Sequence, residues 1–547
     1  MGLDFGTESA RAVLVDVGTG EIVATAIHPY GDGVIDEVLP GSNVALAPDW
    51  ALQSPDDWVA ALEATIPVVL AESSIRPEAI IGLGVDFTAC TVLPTTADGT
   101  PLCTLDAYRE QPHAWAKLWK HHAAQPQADR VNELALARDE SWLPRYGGKI
   151  SSEWLMPKAL QMLEEAPRLY AAADSIVEGA DWIVWMLTGT LARNTCAAGY
   201  KATWHKADGF PSADFLAVLH PDLANLYHDK LAGPVIAPGR KIGELTAAWA
   251  ERLGLAAGTP VAAPIIDAHA AVPGGGVSGA GTMFMIMGTS TCHMLMAEKE
   301  TLVEGIAGVV EDGIVPGFFG YEAGQAGSGD IFAWFVEHGV PPAYHEDAAS
   351  QGGSLHDVLA QRAVTLRPGG SGLLALDWWN GNRSTLVDAE LSGLLIGCTL
   401  STKAEEIYRA LIEATAFGTR VIIEAFTKQG IPVESIVTGG TPAKNALLMQ
   451  IYADVTGREM ALAGADQITA LGAAMLGTVA AGQAGGGYDS LAEAVTQMAP
   501  PPAKVYRPIP EHLAAYDTLY AEYRRLYDYF GRGENNVMKV LRSLRRG

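Results

Sequence analysis

GLDFGTESAR, residues 2–11, sets an acidic residue and a glycine turn where a nucleotide phosphate can sit. Gly2, Leu3, Asp4 and Phe5 read as the end of a buried strand, Gly6 and Thr7 as a tight turn, and Val13 to Asp16 as a second apolar strand. Glycine lets the backbone approach an anion closely, and the bare N–H groups of such a turn form a nest for phosphate. Asp4, at the strand end, is suited to hold Mg²⁺ directly or through water. Arg11 adds a guanidinium matched to phosphate oxygens. An ordinary hairpin with a glycine turn would have the same local sequence, so the motif needs company.

GTMFMIMGTSTC, residues 281–292, supplies it: Met283 to Met287 is an apolar run ending in Gly288-Thr289-Ser290-Thr291, and His293 to Met296 continues as a strand. A third element, SIVTGGTPAKNALLMQIYAD at 435–454, runs from a strand (Ile436, Val437) through Gly439-Gly440 into a helix carrying Leu447, Leu448, Ile451 and Tyr452. A glycine pair at a strand-to-helix junction lets a flat purine or ribose lie against the backbone. Order and spacing, more than any one piece, point to a nucleotide cleft.

The chain has 547 residues, too many for one core, and divides into two nearly equal halves, 1–273 and 274–547. Pro273-Gly274-Gly275-Gly276 reads as a hinge between them. In the second half, Thr402 with Glu405 three residues on has capping-box spacing, and Ile407, Leu411, Ala414, Phe417 and Val421 follow on one helical face. A strand (435–438), a helix (444–456), a strand (458–463) and an Ala/Gly-rich helix (468–481) follow, the alternation of a layered α/β domain with a mixed sheet.

Hydrophobic residues make up 49% and charged residues 18%, a globular composition, and the formal net charge of −26 argues against a nucleic-acid or anionic-membrane partner. The basic end, Lys539, Arg542, Arg545 and Arg546, reads as a solvated helix face. Five scattered cysteines without a CxxC pair favour a reducing compartment over a disulfide framework or zinc site. No apolar run approaches the ~20 residues of a membrane span, and Asp4 and Glu8 stand where a signal peptide would be basic and apolar. The expected location is cytoplasmic.

Longer strings are more specific. GVDFTACT (84–91), LWKHHA (118–123), RYGGKISSEW (145–154), CAAGYKATWH (196–205), IDAHAA (266–271), VPGFFGYEAGQAGSGDIFAWF (315–335) and LDWWNGNRS (376–384) together resemble the FGGY carbohydrate kinases, of the actin, Hsp70 and hexokinase superfamily, and within them the ribulokinase branch. The resemblance spans nearly the whole chain. It includes the helix signature near Gly393–Glu413, where Cys398 replaces the usual branched aliphatic residue. In that resemblance the first strand usually begins several apolar residues earlier, so either the start is assigned late, the favoured reading, or the first strand is short.

The resemblance implies an α/β fold of two ribonuclease-H-like domains with a nucleotide and sugar cleft between them. It implies ATP and Mg²⁺ as cofactors, L-ribulose or a related ketopentose as substrate, and a homo-oligomer by family analogy. Asp267 ends the run Pro264-Ile265-Ile266 and enters a small-residue helix, where a carboxylate can take a hydroxyl proton; an N-cap aspartate looks the same, and the family match favours the base. His269 lacks a partner at ligand spacing and reads as supporting.

By the same resemblance, Lys201 and Glu322 bind sugar hydroxyls, the Ala89 main chain adds a contact, and Trp119 lies against the sugar's apolar face. Gly6, Thr7, Arg11, Gly288 and Thr289 face phosphates, and Gly439, Gly440 and Asn445 line the adenosine pocket. Two alternatives remain: another FGGY kinase acting on xylulose or ribitol, and an actin- or Hsp70-like ATPase with a protein partner. No separate domain is left over for the latter.

Overall fold

Two mixed sheets organise the computed structural model, which describes residues 1–546; Gly547 and the Arg546 side chain lie outside the described residues. The first sheet contains β1 (Gly2–Phe5), β2 (Ser9–Val15), β3 (Ile22–Pro29), β4 (Gly84–Phe87) and β5 (Ile265–Ile266), in the order β5-β4-β1-β2-β3. β1, β2 and β3 form an antiparallel meander, while β4 runs parallel to β1 and β5 parallel to β4. Central strands buried on both faces read as nearly continuous apolar runs, and β1 and β4 conform except for one aspartate each.

The second sheet contains β6 (Gly281–Met287), β7 (Thr291–Ala297), β8 (Gly308–Glu311), β9 (Phe319–Gln325), β10 (Val433–Gly439), β11 (Glu459–Leu462) and β12 (Lys504–Tyr506). Its order is β8-β9-β7-β6-β10-β11-β12. Removing the edge strands β8 and β12 leaves β11-β10-β6-β7-β9, with the same directions as β5-β4-β1-β2-β3. The two halves therefore repeat one topology, and the Gly6-Thr7 and Gly288-Thr289 turns are the same hairpin in each.

Three helices position the cleft: α1 (Thr195–Ala202), α2 (Asp267–Gly274) and α3 (Ile468–Ala481). α3, late in the chain, packs on α2 and on β1 and β4 of the first sheet. The approach is close: a methyl group on Gly84 would lie 1.8 Å from the Ala473 carbonyl oxygen. Gly274 is equally tight, 1.8 Å for its would-be methyl from the Ile468 carbonyl oxygen. The segment expected as a hinge, 273–276, begins inside a helix. Pro273 and Gly274 lie inside α2, where glycine serves close helix packing instead of flexibility.

Other boundaries shift for local reasons. The long helix runs Ala404–Lys428, and the Glu406 carboxylate accepts the Lys403 N–H at 2.7 Å. Thr402 instead accepts the Thr399 N–H, closing the preceding turn. The terminal helix, Val537–Arg546, is docked as well as solvated: Lys539 pairs with Asp388 at 2.5 Å and Arg542 donates to the Ala389 carbonyl. No helix among the described residues is long and apolar enough to cross a membrane.

Candidate active site

Asp4 lies one residue before the end of β1, between Arg11 on β2 and Asp86 on β4, its register partners on either side. Alternation along the strands turns Asp4 and Asp86 to one face, while Phe5 and Phe87 stack on the other at 5.1 Å. Arg11 Nε lies 3.2 Å from Asp4 Oδ2, and its Nη1 donates to Gln467 Oε1 at 2.9 Å. Neither oxygen of the buried Asp86 receives a donor from the protein. Burial, then the neighbouring Asp4 and Asp267, push its carboxyl well above the usual range, and burial raises Asp4 as well, so the pair favours sharing a proton when no cation is near. Asp86 is absent from the residues inferred from sequence. Its signal was there, in the repeated triplets Leu3-Asp4-Phe5 and Val85-Asp86-Phe87.

The twin turns use their glycines alike. Gly6 N–H donates to Ser9 O at 3.0 Å and Gly288 N–H to Ser290 O at 2.8 Å. The glycine amides close the turns. The amides left for an anion are those of Thr7 and Glu8, and of Thr289 and Ser290. Thr7 is itself clamped: its hydroxyl accepts Trp119 Nε1–H at 3.1 Å and its carbonyl accepts Gln53 at 2.7 Å. Trp119 therefore stands half-buried beside the first turn. Arg11, engaged by Asp4 and Gln467, is not the free guanidinium that its sequence context suggests.

At the second turn, the helix Gly329–His338 begins against the loop, with Ser328 and Gly329 N–H groups donating to the Thr289 and Gly288 carbonyls. Gly440, at φ 96°, abuts Met287 just before that turn, which brings the Gly439-Gly440 junction to it. Asn445 caps the helix Ala446–Thr456, its Oδ1 accepting from Leu447 and Leu448 N–H. Only its Nδ2 face, 3.4 Å from the Tyr408 hydroxyl, remains for another partner.

Asp267 is the first residue of α2, directly after β5. It stays partly open to the cleft, and its Oδ1 accepts the Ala268 N–H at 2.6 Å. Enclosure by protein raises its carboxyl to about 7; the Ala268 N–H and Lys201 oppose that rise, and Asp4 and Glu322 add to it. A carboxylate poised there can exchange a proton near neutral pH.

Lys201, on α1, and Glu322, on β9, meet as a buried ion pair at 3.0 Å. The pair joins residues from the two halves of the chain. Burial would raise the Glu322 carboxyl, but Lys201 and Arg383 hold it down to about 2. His269 Nε2 lies 3.5 Å from Glu322 Oε2 and stacks on Tyr200; burial lowers its imidazole to about 4, leaving it neutral. Ala89 sits half-buried in the turn after β4. Lys158, fully enclosed, donates to the carbonyls of Cys90, Lys117 and Leu118 at 2.6, 3.3 and 2.9 Å, pinning that turn to the segment before Trp119. A single lysine in the helix Leu155–Glu165 gives no hint of this in the sequence.

The residues suit a divalent cation with nucleotide phosphates. Two carboxylates face one way, and the orphaned oxygens of Asp86 would be satisfied by a cation or its hydration shell. Among the described residues, no three His, Cys, Asp or Glu side chains converge as a ligand set, so phosphates and water would complete the coordination.

Residues 1–274 match the N-terminal domain of the FGGY family of carbohydrate kinases and residues 283–481 its C-terminal domain. The chain is 55% identical over 543 residues to the ribulokinase of Geobacillus thermodenitrificans, covering 99% of this chain and 96% of that protein. It is 54% identical over 546 residues to the ribulokinase of Halalkalibacterium halodurans, covering 100% and 97%. Among solved structures, the xylulose kinase of Rhodospirillum rubrum has a TM-score of 0.78 at 22% identity, covering 96% of this chain and 97% of that one, a likeness of fold alone. The duplicated sheets and both sequence matches lead to one conclusion: the chain belongs to the FGGY family of carbohydrate kinases.

Proposed function

We propose that this chain transfers the γ-phosphoryl group of ATP to the terminal hydroxyl of L-ribulose, giving L-ribulose 5-phosphate and ADP. One observation carries the reading: Asp267 opens α2 partly exposed to the cleft, and His269, two residues on in the same helix, lies 3.5 Å from Glu322 of the buried Lys201–Glu322 pair. The high identity to ribulokinases supports the ketopentose over other acceptors.

In this mechanism Asp267 accepts the hydroxyl proton as the sugar oxygen bonds to the γ-phosphorus. The bond from that phosphorus to the β,γ-bridging oxygen breaks, and ADP leaves with the electron pair. Lys201 donates to, and Glu322 accepts from, sugar hydroxyls; the Ala89 main chain and the Trp119 ring complete the pocket. Phosphates lie against the Thr7 and Thr289 turns, and the nucleoside against Gly439, Gly440 and Asn445. Mg²⁺, held by Asp4 directly or through water with Asp86 beside it, would neutralise charge on the phosphates. Phosphoryl transfer needs mainly positioning and electrostatics, which these residues are suited to provide.

The test is ADP release measured with L-ribulose, D-ribulose, D-xylulose and ribitol at matched concentrations. The highest kcat/KM is expected for L-ribulose. A preference for xylulose or ribitol would replace the proposed substrate, and ADP release independent of any sugar would replace the kinase reading with an ATPase.

A further inference from the structure

Arg383 is the second cation on Glu322, and nothing in the reaction just described uses it. Its Nη2 donates to Glu322 Oε1, and its Nη1 lies 3.8 Å from the Cys292 sulfur, next to the second phosphate turn. Lys201 takes the other side of the same carboxylate, 3.0 Å from Oε2 and 3.2 Å from Oε1. The two cations differ in origin. Lys201 belongs to α1 in the first half, whereas Arg383 comes from the same half as Glu322.

The loop that carries Arg383 is rigidly fastened. Asp377 accepts Gln325 Nε2–H at 2.7 Å and the Tyr523 hydroxyl at 2.8 Å, and the Ser384 hydroxyl accepts the Gly324 N–H at 3.2 Å. Gly324, two residues from Glu322 on β9, leaves room for the arginine: a methyl there would lie 3.1 Å from Arg383 Cδ. Arg383 thus crosses a gap made by a missing side chain to reach one carboxylate. The groups facing Glu322 are Lys201, Arg383, His269, Tyr200, Cys292 and Asp267. Two of them are permanent cations, against one carboxylate between them.

We propose that Arg383 is a positioning residue for the sugar site, holding the Glu322 carboxylate oriented while Lys201 turns its protons to the ketopentose hydroxyls. The proposal rests on the reading of Lys201 and Glu322 as sugar ligands. A fork-shaped donor suits the task, because a guanidinium fixes the plane of a carboxylate as well as its charge. Without it, Glu322 would have to satisfy Lys201 and the sugar alone.

The experiment compares Arg383→Met, Arg383→Gln, Arg383→Lys and Glu322→Ala in the full chain. It reads KM for L-ribulose, KM for ATP and, in an Asp267→Asn background where the base no longer titrates, the pH dependence of the sugar Kd. Arg383→Met is expected to raise the sugar KM about tenfold, the loss of one charge-assisted hydrogen bond, with the ATP KM within about twofold. The acid limb for the sugar should move to higher pH, since Glu322 loses one cation that keeps it ionised, and Arg383→Lys should return it. If Arg383→Met fails to fold, Arg383→Gln carries the same expectation with a polar side chain. An unchanged sugar KM and acid limb in these variants, with a raised sugar KM in Glu322→Ala, would overturn the inference alone. An unchanged sugar KM in Glu322→Ala would overturn the sugar-site reading, and the inference with it. A merely structural ion pair would lower thermal stability without moving the acid limb, and that outcome also counts against the proposal.

Discussion

Asp4 and Asp86 stand level on adjacent parallel strands, side by side on one face, and Asp86 has no donor from the protein on either oxygen. Two carboxylates so placed repel when both are ionised, and the repulsion disappears if one is neutral or a cation lies between them.

Asp86→Asn is therefore expected to raise the melting temperature in EDTA at pH 8, by about 1–2 °C for each kcal/mol by which the parent's fold disfavours ionising both members of the pair. Added Mg²⁺ should stabilise the parent protein more than the variant. Asp4→Asn should need more Mg²⁺ for half-maximal rate and be partly rescued by raising it. Calorimetry with and without Mg²⁺ decides the first point and a metal titration of rate the second. Equal Mg²⁺ responses in the parent and both variants would remove the pair from the metal site.

Asp267→Asn keeps the side chain's size but cannot take a proton. Turnover should fall by about 10²–10⁴-fold while sugar binding persists. In the parent enzyme the rate should decline as pH falls below about 7, where Asp267 becomes protonated. Stability should run the other way. The raised carboxyl means the fold favours the protonated form, a contribution present below the unfolded value and lost as pH rises through about 7. Asp267→Asn should thus melt higher than the parent at pH 8, with the difference closing towards pH 4.

Lys201→Ala and Glu322→Ala should both raise the sugar KM strongly and the ATP KM little. Their stabilities should differ. Removing Lys201 leaves Glu322 paired with Arg383, whereas removing Glu322 leaves the buried Lys201 and the half-buried Arg383 without the carboxylate they share. Glu322→Ala should be the more destabilised, by a few kcal/mol on the scale of about 3–5 kcal/mol for a broken buried pair. Denaturant midpoints measured side by side test the order.

Lys158→Met removes the donor shared by three carbonyls and should cost about 1–3 kcal/mol, because buried acceptors lose their partner. The sugar KM should rise with it, since the Ala89 turn is freed. A stability loss with an unchanged sugar KM would show that this turn does not shape the pocket.

Local signals were legible and long-range ones were not. Both glycine-threonine turns, the strand-to-helix position of Asp267 and the helix over 468–481 follow from apolar runs and turn residues within short windows. The pairing of Asp4 with Asp86 depends on strand order, which no window contains. Lys201 and Glu322 read singly as surface or ion-paired groups, and only the fold joins them. The close contact at Gly274 could not be read from its glycine, because the same residue serves a bend or a close contact and only the neighbour, here Ile468, shows the contact. Asn445 is a helix cap first, its side chain holding two backbone N–H groups whatever else it meets.

The helix 468–481 covers β1, β4 and the Asp267 helix although it lies far along the chain. On the ribosome the first sheet emerges long before its cover is made, and its apolar face must wait uncovered. The Asp267 helix is in the same position. Residues 1–274 expressed alone should consequently collect as insoluble or chaperone-bound material, and supplying 275–547 in trans during synthesis should recover soluble protein. The two halves repeat one topology, yet the earlier one cannot finish folding until most of the later one has been translated.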